Sequence, residues 1–120
     1  MTLKKSNVNK SYRRGLWAES LGALLLRLKG YRVLATRAKT PVGEIDIIAK
    51  RGNVLVAVEV KARQSLEIAA YSISSTQKKR IVRALEFWCQ HHQKYRAIDK
   101  RFDVVLVAPW TLPKHIPNAW

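Results

Sequence analysis

The sequence predicts one α/β domain with a mixed central sheet flanked by helices, in the order αβββαβ. Three observations carry that expectation. Two stretches have helical periodicity, two strand-like runs are joined by a tight turn, and an apolar run, FDVVLVA, follows the second helical stretch. At 120 residues the chain has room for one core and not for two.

Residues 1–11 are polar and basic without periodicity, and read as a flexible arm ahead of a domain spanning 12–120. Ser11 is a fitting N-cap for a helix that runs to Lys29 and stops at Gly30. On it, Trp17, Ala18, Leu21, Leu25 and Leu28 form the packed side, while Arg13, Ser20 and Arg27 face solvent. Glu19 falls at the edge of the packed side, an odd place for a lone carboxylate. Residues 31–37 form a short strand, and 38–42 a loop, because Pro41 is unsuited to a central strand.

GEIDIIAK (43–50) and VLVAVEVK (54–61) are the strands of a hairpin that turns through Arg51, Gly52 and Asn53. Apart from Glu59 the second strand is apolar on both alternations, as expected when both faces are covered. Residues 63–74 read as an irregular loop. Ser75 or Thr76 caps a second helix to about His92, burying Ile81, Val82, Leu85, Trp88 and Cys89. Phe102 to Ala108 is the last strand, and the Pro-broken tail beyond it packs on the body or on a partner.

The charge balance is far from ordinary. Lys and Arg number 23 against 8 Asp and Glu, for a net +15 and a pI near 10.6. On a small domain such an excess predicts attraction to a polyanion, most often nucleic acid. A single cysteine, Cys89, excludes an internal disulfide and a thiolate metal cluster, which suits a reducing compartment. The basic N-terminus has no apolar stretch behind it, and Ala23 to Leu26 is far below the ~20 residues of a membrane span. A cytoplasmic location and no membrane partner are therefore expected.

Within the hairpin, Asp46, Glu59 and Lys61 interrupt apolar runs that packing alone would leave unbroken. An even-numbered loop puts Asp46 and Glu59 on one face; a two-residue turn at Gly52-Asn53 sets them directly opposite. An odd loop separates them unless a bulge restores the phase. Two carboxylates this close repel each other and are costly to desolvate, and a divalent cation relieves both problems. Oxygen-only ligands favour Mg²⁺ or Mn²⁺. Asp46 and Glu59 are thus the expected metal ligands, with Lys61 placed to balance charge on a reacting phosphate and Glu19 able to reach the same point. The other reading of the same residues is a set of cross-strand ion pairs on an exposed face.

GEIDIIA, VAVEVKAR, a basic helix and FDVV together resemble the YraN family, over roughly residues 12–119. That family is similar to Holliday-junction resolvases and restriction-endonuclease-like nucleases, with an Asp…Glu-x-Lys core. The resemblance implies a restriction-endonuclease-like fold and a Mg²⁺- or Mn²⁺-dependent endodeoxyribonuclease acting on DNA, including branched or structured DNA. It implies Asp46, Glu59, Lys61 and Glu19 as catalytic residues. Glu44, inside the motif, and Gln77, on the buried stripe of the second helix, are auxiliary candidates. Arg37, Lys39, Arg63, Lys78, Lys79, Arg80 and Arg83 are the cations expected to meet phosphates. RNA is not excluded as a partner, and paired cuts imply a symmetric homodimer. The alternative function is a non-catalytic nucleic-acid-binding module that retains the fold.

Overall fold

The computed structural model describes the backbone of residues 2–120 and the side chains of residues 15–120. Helix α1 (Thr2–Leu28) leads into β1 (Arg32–Thr40), β2 (Gly43–Arg51) and β3 (Val54–Ala62). Then come α2 (Leu66–Ala70), α3 (Ser75–Gln90), a 3-10 turn (Gln93–Tyr95), β4 (Asp99–Val107) and β5 (Lys114–Ile116). The strands lie in chain order, β1-β2-β3-β4-β5. Neighbours are antiparallel except β3 and β4, which are parallel and joined by the crossover through α2 and α3. The domain is α/β, with a five-stranded mixed sheet flanked by helices, and is compatible with a restriction-endonuclease-like core.

Each sheet face has its own helix. Ala18, Ala23 and Leu26 of α1 pack with Ile47, Ala49, Val56, Val58, Val60 and Val105. Ile81, Ala84, Leu85, Trp88 and Cys89 of α3 pack with Ile45, Ile48, Leu55 and Ala57. The unbroken apolar run of β3 is thereby explained, because its odd and even positions serve different clusters. Among the described residues, no helix is long and apolar enough to cross a membrane.

The packed side of α1 agrees with expectation at Ala18, Leu21 and Leu25 and differs at its two ends. Trp17 and Leu28 are exposed, and the docking face is Ala18, Gly22, Ala23 and Leu26. Gly22 is the reason: a Cβ there would lie 3.2 Å from Val60 Cγ2, so helix and sheet approach through small residues. Leu21 and Leu25 flank this face and pack partly against it, while Trp17 and Leu28 stay outside.

Several boundaries also move. Helix α1 starts at Thr2 rather than Ser11, and the side chains of the expected arm lie outside the described residues. Strand β1 runs to Thr40, so Pro41 and Val42 alone make the turn, held by Thr40 Oγ1 accepting from Gly43 N at 3.1 Å. Helix α2 forms inside the expected loop, capped by Ser65 Oγ, which accepts from Ile68 N. The cap of α3 is Ser74 rather than Ser75 or Thr76. Strand β5 is three residues that become a strand by pairing with β4, a tertiary cause invisible to local pattern. The tail packs on the body: Ala119 N donates to Phe102 O at 2.7 Å, and Trp120 stacks on Phe102.

Candidate active site

The hairpin turn sets the geometry. Strands β2 and β3 pair from Arg51↔Val54 to Ile47↔Val58, so only Gly52 and Asn53 are looped out. Gly52 has φ 58, as the first central position of a type II′ turn requires. The loop is even, and one further step of the same register puts Asp46 opposite Glu59. There the ladder stops, and Asp46 Oδ2 accepts a hydrogen bond from Val60 N at 2.8 Å. The carboxylate thus takes a place that a β2 carbonyl would hold, between the two sheet faces.

Both edge-side strands lose their alternation at this level. Ile45 and Ile48 belong to the α3 cluster, but Ile47 and Ala49 belong to the α1 cluster. The phase therefore slips at Asp46. On β1, Ala35 and Ala38 both pack on the α3 side, so the phase slips at Arg37, whose φ is 52. The pairs Thr36↔Ile47 and Ala38↔Ile45 bracket Arg37 and Asp46, which face each other. Such irregularities re-aim side chains beside functional sites.

A cavity of about 420 Å³ opens here, lined by Glu19 of α1, Asp46 of β2, Glu59 and Lys61 of β3, and Arg63, with Gly15, Ala18, Val60 and Ala62. All four residues expected to be catalytic share it. Carboxylate oxygens of Glu19, Glu44 and Asp46 lie within 4.8 Å of one another. Glu59 stands outside that grouping; its Oε1 is 3.2 Å from Lys61 Nζ. The expected ligand pair, Asp46 and Glu59, thus shares the cavity, while Glu44 and Glu19 complete the three-carboxylate cluster around Asp46. Arg37 Nε reaches Glu19 at 3.8 Å and Glu44 at 3.7 Å, so a cation of the chain already borders these acids.

Burial and charge crowding appear directly in the acid–base properties. Burial, then the nearby Asp46, push Glu19 up to about 7. Burial and Asp46 push Glu59 up to about 7 against the opposing pull of Lys61. Burial also raises Asp46, opposed by the Val60 N–H and Lys61. Four carboxylates crowd into one partly buried centre with an all-oxygen donor set. Both properties fit a hard divalent cation.

The remaining expected residues divide. Arg63 lines the cavity. Lys39 and Arg80 share a shallow depression of about 410 Å³ with Glu44 at the β1–β2 turn. Lys78 lies over the Trp120 ring at 6.0 Å, and Lys79 and Arg83 are exposed on α3, away from the cavity lining. Gln77 closes the α3 capping box: its N donates to Ser74 Oγ at 3.1 Å and its Oε1 accepts from Ser74 N. That side chain caps a helix and does not line the cavity. His91 and His92 donate from Nδ1 to the carbonyls of Phe87 and Trp88.

A second buried acid lies on the same sheet. Asp103, fully buried, pairs in register with Val58, one step from the Glu59↔Val104 pair. It receives Arg101 Nε and Nη2 at 2.8 Å each, His115 Nε2 at 2.7 Å and Asn118 N at 2.9 Å. Arg101 Nη2 also donates to Tyr31 Oη at 2.6 Å. Lys29 Nζ donates to His115 Nδ1, which leaves Nε2 as the ring donor to Asp103. The complete burial of Asp103 and the His115 contact leave no local signal in the sequence.

The family model described as "Uncharacterised protein family UPF0102" matches residues 18–107, the span that contains every acid of the cavity. The chain belongs to this family. It is the YraN family that the GEID and VEVK motifs resemble. Among its relatives, a UPF0102 protein of Rhodopseudomonas palustris is 46% identical over 92% of this chain and 82% of its own length. One from Parvibaculum lavamentivorans is 48% identical over 92% and 83%. One from Bartonella tribocorum is 44% identical over 97% and 89%. The match to UPF0102 thus covers the whole hairpin, the C-terminal part of α1 that supplies Glu19 and the strand that supplies Asp103.

Proposed function

We propose that this UPF0102 domain is a metal-dependent endodeoxyribonuclease that hydrolyses DNA phosphodiester bonds, branched or structured DNA included. The carrying observation is the cavity in which Lys61 Nζ sits 3.2 Å from Glu59 beside the Glu19, Glu44 and Asp46 carboxylates, in a chain of net charge +15. A domain so basic gathers four of its eight acids at one place. That arrangement suits a polyanion whose reacting phosphate must meet a cation.

Glu19, Glu44 and Asp46, with Glu59 beside them, would hold Mg²⁺ or Mn²⁺. When bound, the ion supplies polarisation of the scissile phosphate and a more acidic water. The protein's own groups do the rest. Asp46 is fixed by the Val60 N–H, which removes its freedom to rotate. Glu59 orients Lys61, whose ammonium balances charge developing on the phosphorane. Glu59, lining the same cavity, would also meet the attacking water from the β3 side. Arg63, Lys39 and Arg80 border the acids and offer contacts to flanking phosphates. Paired cuts across a junction would require a symmetric homodimer.

A second reading, a nucleic-acid-binding module that keeps the fold without cutting, draws on Arg37, which already sets one cation against Glu19 and Glu44. Incubating plasmid, branched and single-stranded DNA with Mg²⁺ or Mn²⁺ separates the two. Cleavage by wild type that disappears in Asp46→Asn and Lys61→Ala supports the nuclease. Cleavage that persists in both variants belongs to another protein in the preparation. Salt-sensitive binding without cleavage, and no Mn²⁺ uptake by calorimetry, leaves the binding module.

A further inference from the structure

Trp110 lies in the turn that follows β4, directly after Pro109. It is 102% exposed, and its φ is 64, in the left-handed region that bulky residues avoid. A large apolar ring held outward gains no burial on folding and sits on an unfavourable backbone, so packing gives no reason for it. Trp88 and Trp120, by contrast, stack on His92 and Phe102.

Beside Trp110, Ala108 and Pro109 join Ala62, Arg63, Gln64 and Val107 around a mostly apolar cavity of about 250 Å³. Ala62 and Arg63 also line the acid cavity, so the two hollows are contiguous along the end of β3. Arg63 N donates to Val107 O at 3.0 Å, which ties that end of β3 to the strand leading into Trp110. An exposed indole, an apolar hollow and an arginine thus sit in sequence next to the carboxylates, on a chain of charge +15.

We propose that Trp110 is a stacking platform for an unpaired base of DNA, with Arg63 meeting the adjoining phosphate as the strand passes into the acid cavity. The occupant follows from the chemistry. Every base offers a π-face to the indole, and a flanking cation next to a flat aromatic matches a strand that alternates base and phosphate. A paired base presents no free face, so the platform selects single-stranded or junction DNA over continuous duplex. The proposal rests on the nucleic-acid reading of the same site and adds to it the kind of strand that is held.

The test is fluorescence anisotropy with the full chain in a chelator, using a labelled oligothymidylate and a labelled duplex of equal length. Trp110→Ala should weaken oligothymidylate binding by about fivefold to a hundredfold. Trp110→Phe should keep most of it, and the duplex should change by less than about twofold for either variant. Equal losses on both DNAs, no loss on either, or no binding by wild type overturns the proposal. So does a fall from dimer to monomer in sedimentation of Trp110→Ala, which would make the patch a contact for a second copy. Because the chelator removes cleavage from the measurement, selective loss without any nuclease activity in Mg²⁺ sinks the nuclease reading and leaves the platform standing. Cleavage with unselective binding does the reverse.

Discussion

Two acids of the same sheet, Asp103 on β4 and Asp46 on β2 with β3 between them, have been treated in opposite ways. Asp103 is saturated: two guanidinium nitrogens, a ring N–H and a backbone N–H converge on its two oxygens. Burial would raise its pKa, but Arg101, His115 and the Asn118 N–H bring it down to about 2. Asp46 stands among other acids with one backbone N–H, and burial raises its pKa against that N–H and Lys61. A buried carboxylate that serves the fold is surrounded by donors. Asp46 has fewer donors and stands among other carboxylates. The difference separates scaffold from site without appeal to the reaction.

The largest expected effect falls on the saturated centre. Asp103→Ala leaves the Arg101 guanidinium inside without its partner, and should destabilise by about 3 kcal/mol, measured by urea denaturation. The low end of the range for buried pairs applies because Arg101 keeps 26% exposure. Asp46→Ala should stay within about 1 kcal/mol of wild type, since Val60 loses one hydrogen bond while Glu19 and Glu59 lose a like-charged neighbour. Equal destabilisation by the two variants would erase the distinction.

Lys61→Ala comes next, and reads the other centre by activity. If Lys61 stabilises charge on the phosphate, the cleavage rate with Mg²⁺ should drop ~10²–10³-fold with little change in DNA affinity. In the metal-free protein Glu59, left without its cation, should then hold its proton to still higher pH. A fall in affinity with an unchanged rate would make Lys61 a binding residue only.

Much of this was legible in the residues, and the illegible parts have a common cause. Given an even loop, the convergence of Asp46, Glu59 and Lys61 follows from alternation, a local property. The parity itself is set by the Gly52-Asn53 turn, and the approach of Glu19 by the docking of α1. The place of Glu44 does not follow from alternation, because it depends on the phase slip at Asp46, which takes shape with a partner strand irregular at Arg37. Gln77 was misplaced because its position on a helical stripe said nothing of the capping box its side chain closes with Ser74. Trp17 and Leu28 looked like core until Gly22 made the small face of α1 the closer fit. β5 and the His115 contact arise from long-range pairing, which leaves no periodic trace.

The two centres should also limit stability at opposite ends of the pH scale. Asp103 is ionised in the folded chain down to about 2, against an ordinary 3.8, so its contribution is complete above 3.8 and lost as pH falls toward 2. Glu19 and Glu59 go the other way, from an ordinary 4.5 to about 7. Between those values the folded chain binds more protons than the unfolded one. Stability of the metal-free protein therefore falls as pH rises through that window, and the full penalty persists above it. Mg²⁺ or Mn²⁺ should restore stability on the alkaline side, by binding the folded state alone, and leave the acid side untouched. Denaturation midpoints against pH, with the ion and with a chelator, check both limbs; an ion effect as large near about pH 3 as near about pH 8 would place the cation elsewhere.

The smallest effects belong to the arginines' counterpart roles. Arg101 grips Asp103 at 2.8 Å through two nitrogens, while Arg37 meets Glu19 and Glu44 at 3.8 and 3.7 Å with its side chain 36% exposed. Loose, partly solvated pairs contribute about 0.2–1 kcal/mol, so Arg37→Ala should cost less than ~1 kcal/mol. Arg37→Gly should recover about 1 kcal/mol relative to Ala, because φ 52 sets Cβ against the backbone and Gly has none. Metal binding gives the sharper readout. Removing a positive charge beside the carboxylates should tighten Mn²⁺ by a few-fold in calorimetry, in Ala and Gly variants alike. Weaker Mn²⁺ binding in both would mean that Arg37 holds Glu19 and Glu44 in place, as Arg101 holds Asp103. The guanidinium opposite Asp46 would then be part of the cation site's frame rather than a charge that the incoming ion displaces.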